Sequence, residues 1–285
     1  MLLSDAWVDF VAGWCSGASA VLACQPVDTI LTRWQAGLVV VQPTAAAASS
    51  STTSSASVAA NQTRALYQMT GTWRALWRGA SPMIGAVPVQ NALLMGGYGV
   101  GQQYSARYAP EYRRTAVFVG GCTGGVLQSF LMSPVELVKV LQQCAGQSLS
   151  QAVRAATWQR GLGATLLRDG IPHGVWFVAY EECKDVLTKM YGKEDAVVVP
   201  LTAGAGAATI AWAVGYPADV IKTRIQASAN PMGIIDTGRL LIQEANGSWR
   251  GLYRGFGLKL VRSVPASMIG FGVYEFVKRN VLDVI

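Results

Sequence analysis

Three carboxylates, Asp28, Glu136 and Asp219, each stand two residues after a proline at the end of an apolar stretch. Lys139 and Lys222 follow the second and third acids by three residues, and Leu31 takes that place after the first. Residues three apart share roughly one face of a helix. Ionisable side chains in a low-dielectric setting need partners and mark functional positions. The chemistry on offer is the making and breaking of ion pairs.

A second set lies deeper. Arg168 and Asp169 interrupt LLRDGIPHGVWFVAYEE, and Arg262 interrupts the last apolar stretch at the same level. Arg168 and Arg262 each stand thirteen residues before a glutamate, Glu181 and Glu275. Adjacent helical residues point about 100° apart. Arg168 and Asp169 are therefore expected to satisfy each other poorly and to hold two jobs. Arginine offers a fork to a carboxylate, and the aspartate offers a charge to an ammonium. The competing reading is a mutually neutral structural pair. His173 either lines a cavity and takes up or releases a proton there or packs between helices. Gln90, Asn91 and Trp176 are secondary contacts, the indole suiting a quaternary ammonium or plain packing.

The elements that hold these residues are membrane helices. The 285 residues are 51% apolar and only 14% charged, against about a quarter charged in an ordinary soluble domain. Phe10–Val27, Gly79–Ala106, Thr115–Val135 and Ala196–Ala218 contain no Asp, Glu, Lys or Arg. About 20 such residues cross a bilayer. Two further apolar stretches, from Gly161 and from Gly255, carry internal charges, so six spans are expected. The net charge of +7 comes with no basic run, which argues against a nucleic-acid partner. Arg74, Arg78, Arg160, Arg250 and Arg254 cluster in alternate connections, fitting a positive-inside orientation. The five cysteines are dispersed, and no metal cluster or disulfide framework is expected. The stretch 43–62 is low-complexity and reads as a flexible loop.

The chain repeats itself. ACQPVDTILTRWQ, LMSPVELVKVLQQ and VGYPADVIKTRIQ align, each with a glutamine (Gln35, Gln143, Gln226) nine residues after its proline. Gly13, Gly121 and Gly204 precede Pro26, Pro134 and Pro217 by thirteen, and begin small-xxx-small steps that let backbones approach in lipid. Arg78-Gly79, Arg160-Gly161 and Arg254-Gly255 each open a helix, with Tyr98, Tyr180 and Tyr274 nineteen residues past the glycine. The expected units are 1–105, 106–192 and 193–285. Prolines inside helices remove a hydrogen bond and kink the rod.

On these motifs the chain resembles the mitochondrial carrier family. P-x-[DE]-x-x-[KR] occurs three times, once without its base. The resemblance implies an all-α bundle of six transmembrane helices in three pseudo-threefold repeats, with short matrix helices and a central site open alternately to each side. It implies a matrix gate in which each acid pairs with the next repeat's base. Asp28–Lys139 and Glu136–Lys222 then form and Asp219 loses its partner, with Gln35, Gln143 and Gln226 bracing beneath. On the cytoplasmic side it implies a gate of Tyr180, Glu181, Lys184, Tyr274, Glu275 and Lys278. There only Glu181–Lys278 is complete, because repeat one has uncharged Gly99 and Gln102.

Helix starts offer unpaired N–H groups and positive dipole ends that bind phosphate. Gly71, Trp77, Arg78, Gly79, Arg254 and Gly255 resemble the family's cardiolipin sites. Gly161 is the irregular one, with Gln159 where an aromatic is expected. An Arg-Asp pair at the contact point resembles the carnitine/acylcarnitine and basic amino acid carriers. The expected substrate is accordingly zwitterionic or cationic: arginine, lysine, ornithine, or carnitine and its esters. The resemblance also implies a multi-pass inner-membrane monomer that exchanges its substrate, with cardiolipin as structural lipid and no cofactor. No nucleophile–base pair suggests an enzyme. The missing charges leave a proton or ion leak as one alternative, and a nucleotide-type carrier is another.

Overall fold

The computed structural model describes residues 2–37, 73–108, 113–191 and 198–282. The 43–62 loop and Gly71 lie outside them. The described residues are helical, without strands. Six long helices dominate: α1 Leu2–Gln35, α2 Ala80–Tyr108, α3 Arg113–Cys144, α5 Leu162–Tyr191, α6 Val198–Ala227 and α8 Phe256–Leu282. They run from 27 to 34 residues, long enough to cross a bilayer even when tilted. Two short helices lie between them, α4 Leu149–Ala155 and α7 Ile234–Glu244. Single 3-10 turns, Trp73–Trp77 and Trp249–Tyr253, precede α2 and α8.

Every long helix carries an internal proline: Pro26, Pro88, Pro134, Pro172, Pro217 and Pro265. The helices continue through these positions. Neighbours in sequence are neighbours in space. The contacts run α1–α2–α3–α5–α6, and α8 closes the ring against α1, with a sparse seam between α6 and α8. The odd long helices α1, α3 and α6 also touch one another.

Polarity is inverted relative to a soluble protein. Phe10, Trp14 and Leu22 on α1, Phe118 and Phe130 on α3, and Val261, Met268 and Phe276 on α8 are exposed. Asp28, Asp169, Asp219, Lys222, Gln25, Gln128, Gln143 and Gln226 are buried. Charged residues are almost never fully buried unless paired, so the interior holds a polar network, beside apolar clusters such as Leu137, Val138 and Leu141, inside an apolar sleeve. By length and hydropathy two stretches, Phe10–Gln35 and Arg113–Cys144, are apolar enough to cross a membrane. Six were expected, four from charge-free stretches and two from apolar stretches that carry internal charges.

The small-residue steps are used unevenly. A Cβ added to Gly121 would lie 2.7 Å from the Cα of Gly174, which places α3 and α5 in backbone contact. Gly13 and Gly204, expected to do the same, have open space around them. The Arg-Gly turns are uniform: Gly79, Gly161 and Gly255 have φ of +83°, +84° and +85°. That left-handed conformation is one that glycine adopts freely.

Candidate functional site

At the proline level the three odd helices bring their motif residues together. Lys139 Nζ lies 3.3 Å from Asp28 Oδ2, and Lys222 Nζ is in contact with Glu136. Both expected pairs are present. The expectation for Asp219 fails, because the carboxylate is not left alone. Arg168 Nη1 approaches its Oδ1 at 3.5 Å, Lys259 Nζ its Oδ2 at 3.9 Å, and Gln35 Nε2 donates to Oδ2 at 3.2 Å. The fourth and sixth long helices, α5 and α8, supply what position 31 does not.

Arg168 is the centre of this cluster. Its Nε and Nη2 donate to the two oxygens of Asp169 at 2.7 and 2.8 Å, and its Nη1 donates to Glu136 Oε1 at 2.8 Å. The expectation that Arg168 and Asp169 satisfy each other poorly is therefore overturned. The long guanidinium arm folds back across the 100° step and grips the neighbouring carboxylate with two bonds. Arg262 Nε sits 2.8 Å from Asp28 Oδ1, so it too belongs to the ion-pair cluster. Among the described residues, five cations (Lys139, Arg168, Lys222, Lys259, Arg262) meet four carboxylates (Asp28, Glu136, Asp169, Asp219). With every group ionised the cluster carries one excess positive charge.

Of the three glutamines expected to brace the pairs, Gln35 does touch an acid of the cluster and also donates to the Tyr216 hydroxyl at 3.2 Å. Gln143 donates to Thr29 Oγ1 at 2.9 Å, and Gln226 to the Ser133 carbonyl at 3.4 Å. These two link helices instead.

Beside the cluster opens a cavity of about 270 Å³. Arg168, Asp169, His173 and Trp176 of α5 line it, facing Leu94 and Met95 of α2 and Trp212 of α6. Gln90 is half-buried and Asn91 exposed on α2, one turn short of Leu94 and Met95. His173 both lines the cavity and packs between helices. Its Nδ1 lies 2.6 Å from the Asp169 carbonyl, an acceptor, so Nδ1 carries the proton. Its Nε2 then accepts from Gln128 Nε2 at 3.0 Å. The ring pins α3 to α5 while one face lines the cavity. Trp176 stacks on Tyr180 at 5.4 Å, and Tyr98 stacks on Phe177 at 4.1 Å.

This arrangement can hold a ligand with a carboxylate against Arg168 and a cation against Asp169, in contact with an ion-pair cluster. A family model described as mitochondrial carrier protein matches residues 4–108, 111–191 and 193–284. The chain belongs to the mitochondrial carrier family.

Curated members similar to it include a mitochondrial arginine transporter of Arabidopsis thaliana, 29% identical over 95% of this chain and 90% of the relative. A mitochondrial carnitine/acylcarnitine carrier of Mus musculus is 29% identical over 94% and 92%. A mitochondrial basic amino acids transporter of Bos taurus is 30% identical over 95% and 91%. The family's members named here are transporters.

For a mitochondrial carrier the far end of the bundle is the other place of interest. Glu181 lies 3.6 Å from Arg113 of α3, and Lys184 is exposed. Tyr274 is half-buried on α8. The side chains of Glu275 and Lys278 lie outside the described residues. Gln102, where repeat one lacks a charge, donates to the Tyr98 hydroxyl at 3.2 Å.

The helix starts also have defined surroundings. Trp77 Nε1 donates to the Leu22 carbonyl at 3.1 Å, and Arg78 Nη1 to the Gly146 carbonyl at 3.4 Å. The Arg254 carbonyl accepts from Tyr216 at 2.8 Å. At Gly161, the irregular position, a cavity of about 540 Å³ is lined by Arg160, Gly161, Gly233 and Ile234, where α5 and α7 both begin. Gly233 caps α7 without a side-chain hydrogen bond. Arg160 donates to the Gln226 carbonyl at 2.7 Å. Burial lowers the Arg160 and Arg254 pKa values from the usual guanidinium value, so an anion at either would be favoured.

Lys259 and Tyr216 were missed by the motif reading. Lys259 was findable, being an ionisable residue inside an apolar stretch like Arg168. Tyr216, fully buried between Gln35 and Arg254, looks in sequence like any aromatic before a proline.

Proposed function

We propose that the chain is a six-span carrier of the mitochondrial inner membrane, built from three repeats (1–105, 106–192, 193–285), that exchanges a small zwitterionic or cationic metabolite by alternating access. The substrate class is a basic amino acid such as arginine, lysine or ornithine, or carnitine and its esters. The observation that carries this reading is the double membership of Arg168, which lines the cavity and also belongs to the ion-pair cluster.

A substrate carboxylate entering the cavity competes with Glu136, Asp169 and Asp219 for the Arg168 guanidinium. As Arg168 turns to the substrate, the cluster loses a shared cation and Asp169 is freed for the substrate's positive group. Ligand contacts thus replace the contacts that hold the odd helices together, and a ligand shifts an equilibrium only by such differential binding. The one excess positive charge favours a substrate bearing a carboxylate. Trp176 lines the cavity, and an indole suits a cationic group. On this reading the cluster is the matrix gate, and the Tyr180, Glu181, Lys184, Tyr274, Glu275 and Lys278 set is the cytoplasmic gate. The glycine-led helix starts hold cardiolipin phosphates, the carrier works as a monomer, and its partners are substrate and lipid, not nucleic acid.

The test is a melting screen of the purified carrier in detergent with cardiolipin, against basic and neutral amino acids, carnitine esters, keto acids and nucleotides. A ligand bound by the folded state alone raises the midpoint as its concentration passes its dissociation constant. The expected result is a rise with an amino acid or carnitine that disappears in Arg168→Ala and Asp169→Ala. A rise only with nucleotides or keto acids overturns the substrate class.

A further inference from the structure

We propose that Lys259 is the third cation of the gate, carried on α8 in place of the base that position 31 of α1 lacks. This rests on reading the ion-pair cluster as a gate.

Two of the three left-handed glycines make the comparison possible; the third, Gly161, faces Gln226, one turn past Lys222. A Cβ added to Gly79 would lie 2.9 Å from Lys139 Cγ, and Lys139 pairs with Asp28. A Cβ added to Gly255 would lie 2.6 Å from Leu31 Cδ1. Leu31 therefore occupies, against Gly255, the place that Lys139 occupies against Gly79. Leu31 is buried and brings no charge to Asp219, itself buried. A buried carboxylate without a cation is strongly destabilising.

Lys259 reaches that carboxylate from another direction. Its Nζ lies 3.9 Å from Asp219 Oδ2, its side chain is 12% exposed, and its ammonium sits 4.0 Å from the centre of the Trp212 ring. Trp212 belongs to α6, about two turns before Asp219. The aromatic face and the carboxylate thus hold one ammonium between them. Lys259 stands four residues after Gly255. The residues four after Gly79 and Gly161 are Met83 and Thr165, which are uncharged. The charge absent from one repeat position is present at a position where the other two units have none. A lysine's flexible four-carbon stem allows its point charge to arrive from a neighbouring helix. Arg168 also approaches Asp219, but divides itself among three carboxylates.

The relocation has a mechanical consequence. The link between Asp219 and Lys259 spans α6 and α8, the sparse seam of the ring. Arg262, one turn further along α8, pairs with Asp28. Both ends of the ring are thereby tied to one helix, so displacing α8 loosens two links together.

The test uses the full-length carrier in detergent with cardiolipin, read by its melting midpoint, and in proteoliposomes, read by exchange of radiolabelled arginine and of radiolabelled carnitine. Lys259→Gln should lower the midpoint by roughly 5 °C, and Lys259→Arg should keep it. Leu31→Lys added to Lys259→Gln should recover most of the loss, because the charge is returned to Asp219 from α1. Should that variant fail to fold, the swap Asp219→Lys with Lys259→Asp must recover stability over either single change. An unchanged midpoint in Lys259→Gln overturns the proposal, and so does failure of both rescues. The swap Asp28→Lys with Lys139→Asp is the control. If it rescues and the Lys259 variants do not, the relocated base is wrong and the gate stands. If it too fails, the gate reading falls.

Discussion

Arg168 holds Asp169 with two hydrogen bonds and Glu136 with a third at 2.8 Å, so one guanidinium joins the cavity wall on α5 to the proline-level cluster on α3. The site and the cluster are one electrostatic unit. Breaking a buried pair by removing one partner costs about 3–5 kcal/mol.

That link makes the conservative change at Arg168 informative. Arg168→Lys keeps the charge but cannot make two bonds to Asp169 and a third to Glu136. Exchange in proteoliposomes should fall at least about tenfold in Arg168→Lys and further in Arg168→Ala, with both variants melting below the wild type. Wild-type exchange in Arg168→Lys would show that charge alone suffices.

The Asp28–Lys139 pair is expected to tolerate reversal. Asp28→Lys and Lys139→Asp should each lower the melting midpoint, and the double variant should recover part of the loss, with a coupling of about 1–3 kcal/mol. Additive losses would mean that the two residues do not act as a pair. Arg262 bounds the recovery, since it also faces Asp28 at 2.8 Å.

Gly79 has a left-handed backbone and no room for a side chain, with Lys139 2.9 Å from where a Cβ would sit. Gly79→Ala should therefore cost roughly 1–3 kcal/mol, combining backbone strain with displacement of Lys139. Gly13→Ala, in open space within α1, should be neutral or slightly stabilising. Melting midpoints of the two variants provide the comparison.

The cavity at the start of α5 and α7 predicts a lipid effect. Adding cardiolipin should raise the midpoint of the wild type, and the rise should shrink in Arg160→Ala. Since Arg160 also holds the Gln226 carbonyl, the readout is the lipid-dependent difference and not the absolute midpoint. An undiminished rise would assign the stabilisation to the other helix starts.

Much of this carrier was legible in one dimension. The prolines, acids, glutamines and glycine turns recur at fixed spacing, because each helix pair must present the same residues at the same height to a shared interior. The spacing placed the acids and bases at one level, the family resemblance implied the pairs Asp28–Lys139 and Glu136–Lys222, and both are present. What the spacing could not supply was direction and reach. Arg168 and Asp169 were read as divergent because their Cα–Cβ vectors are, yet a side chain as long as arginine turns back on its neighbour. Asp219 was read as unpartnered because the motif places bases on odd helices alone. Arg168 comes from α5, packed beside α6, and Lys259 from α8, which only ring closure sets there. Backbone periodicity is local, so sequence determined which residues lie at which level. Which of them share a charge was decided by helix packing, because burial makes each carboxylate take the nearest cation whichever helix carries it.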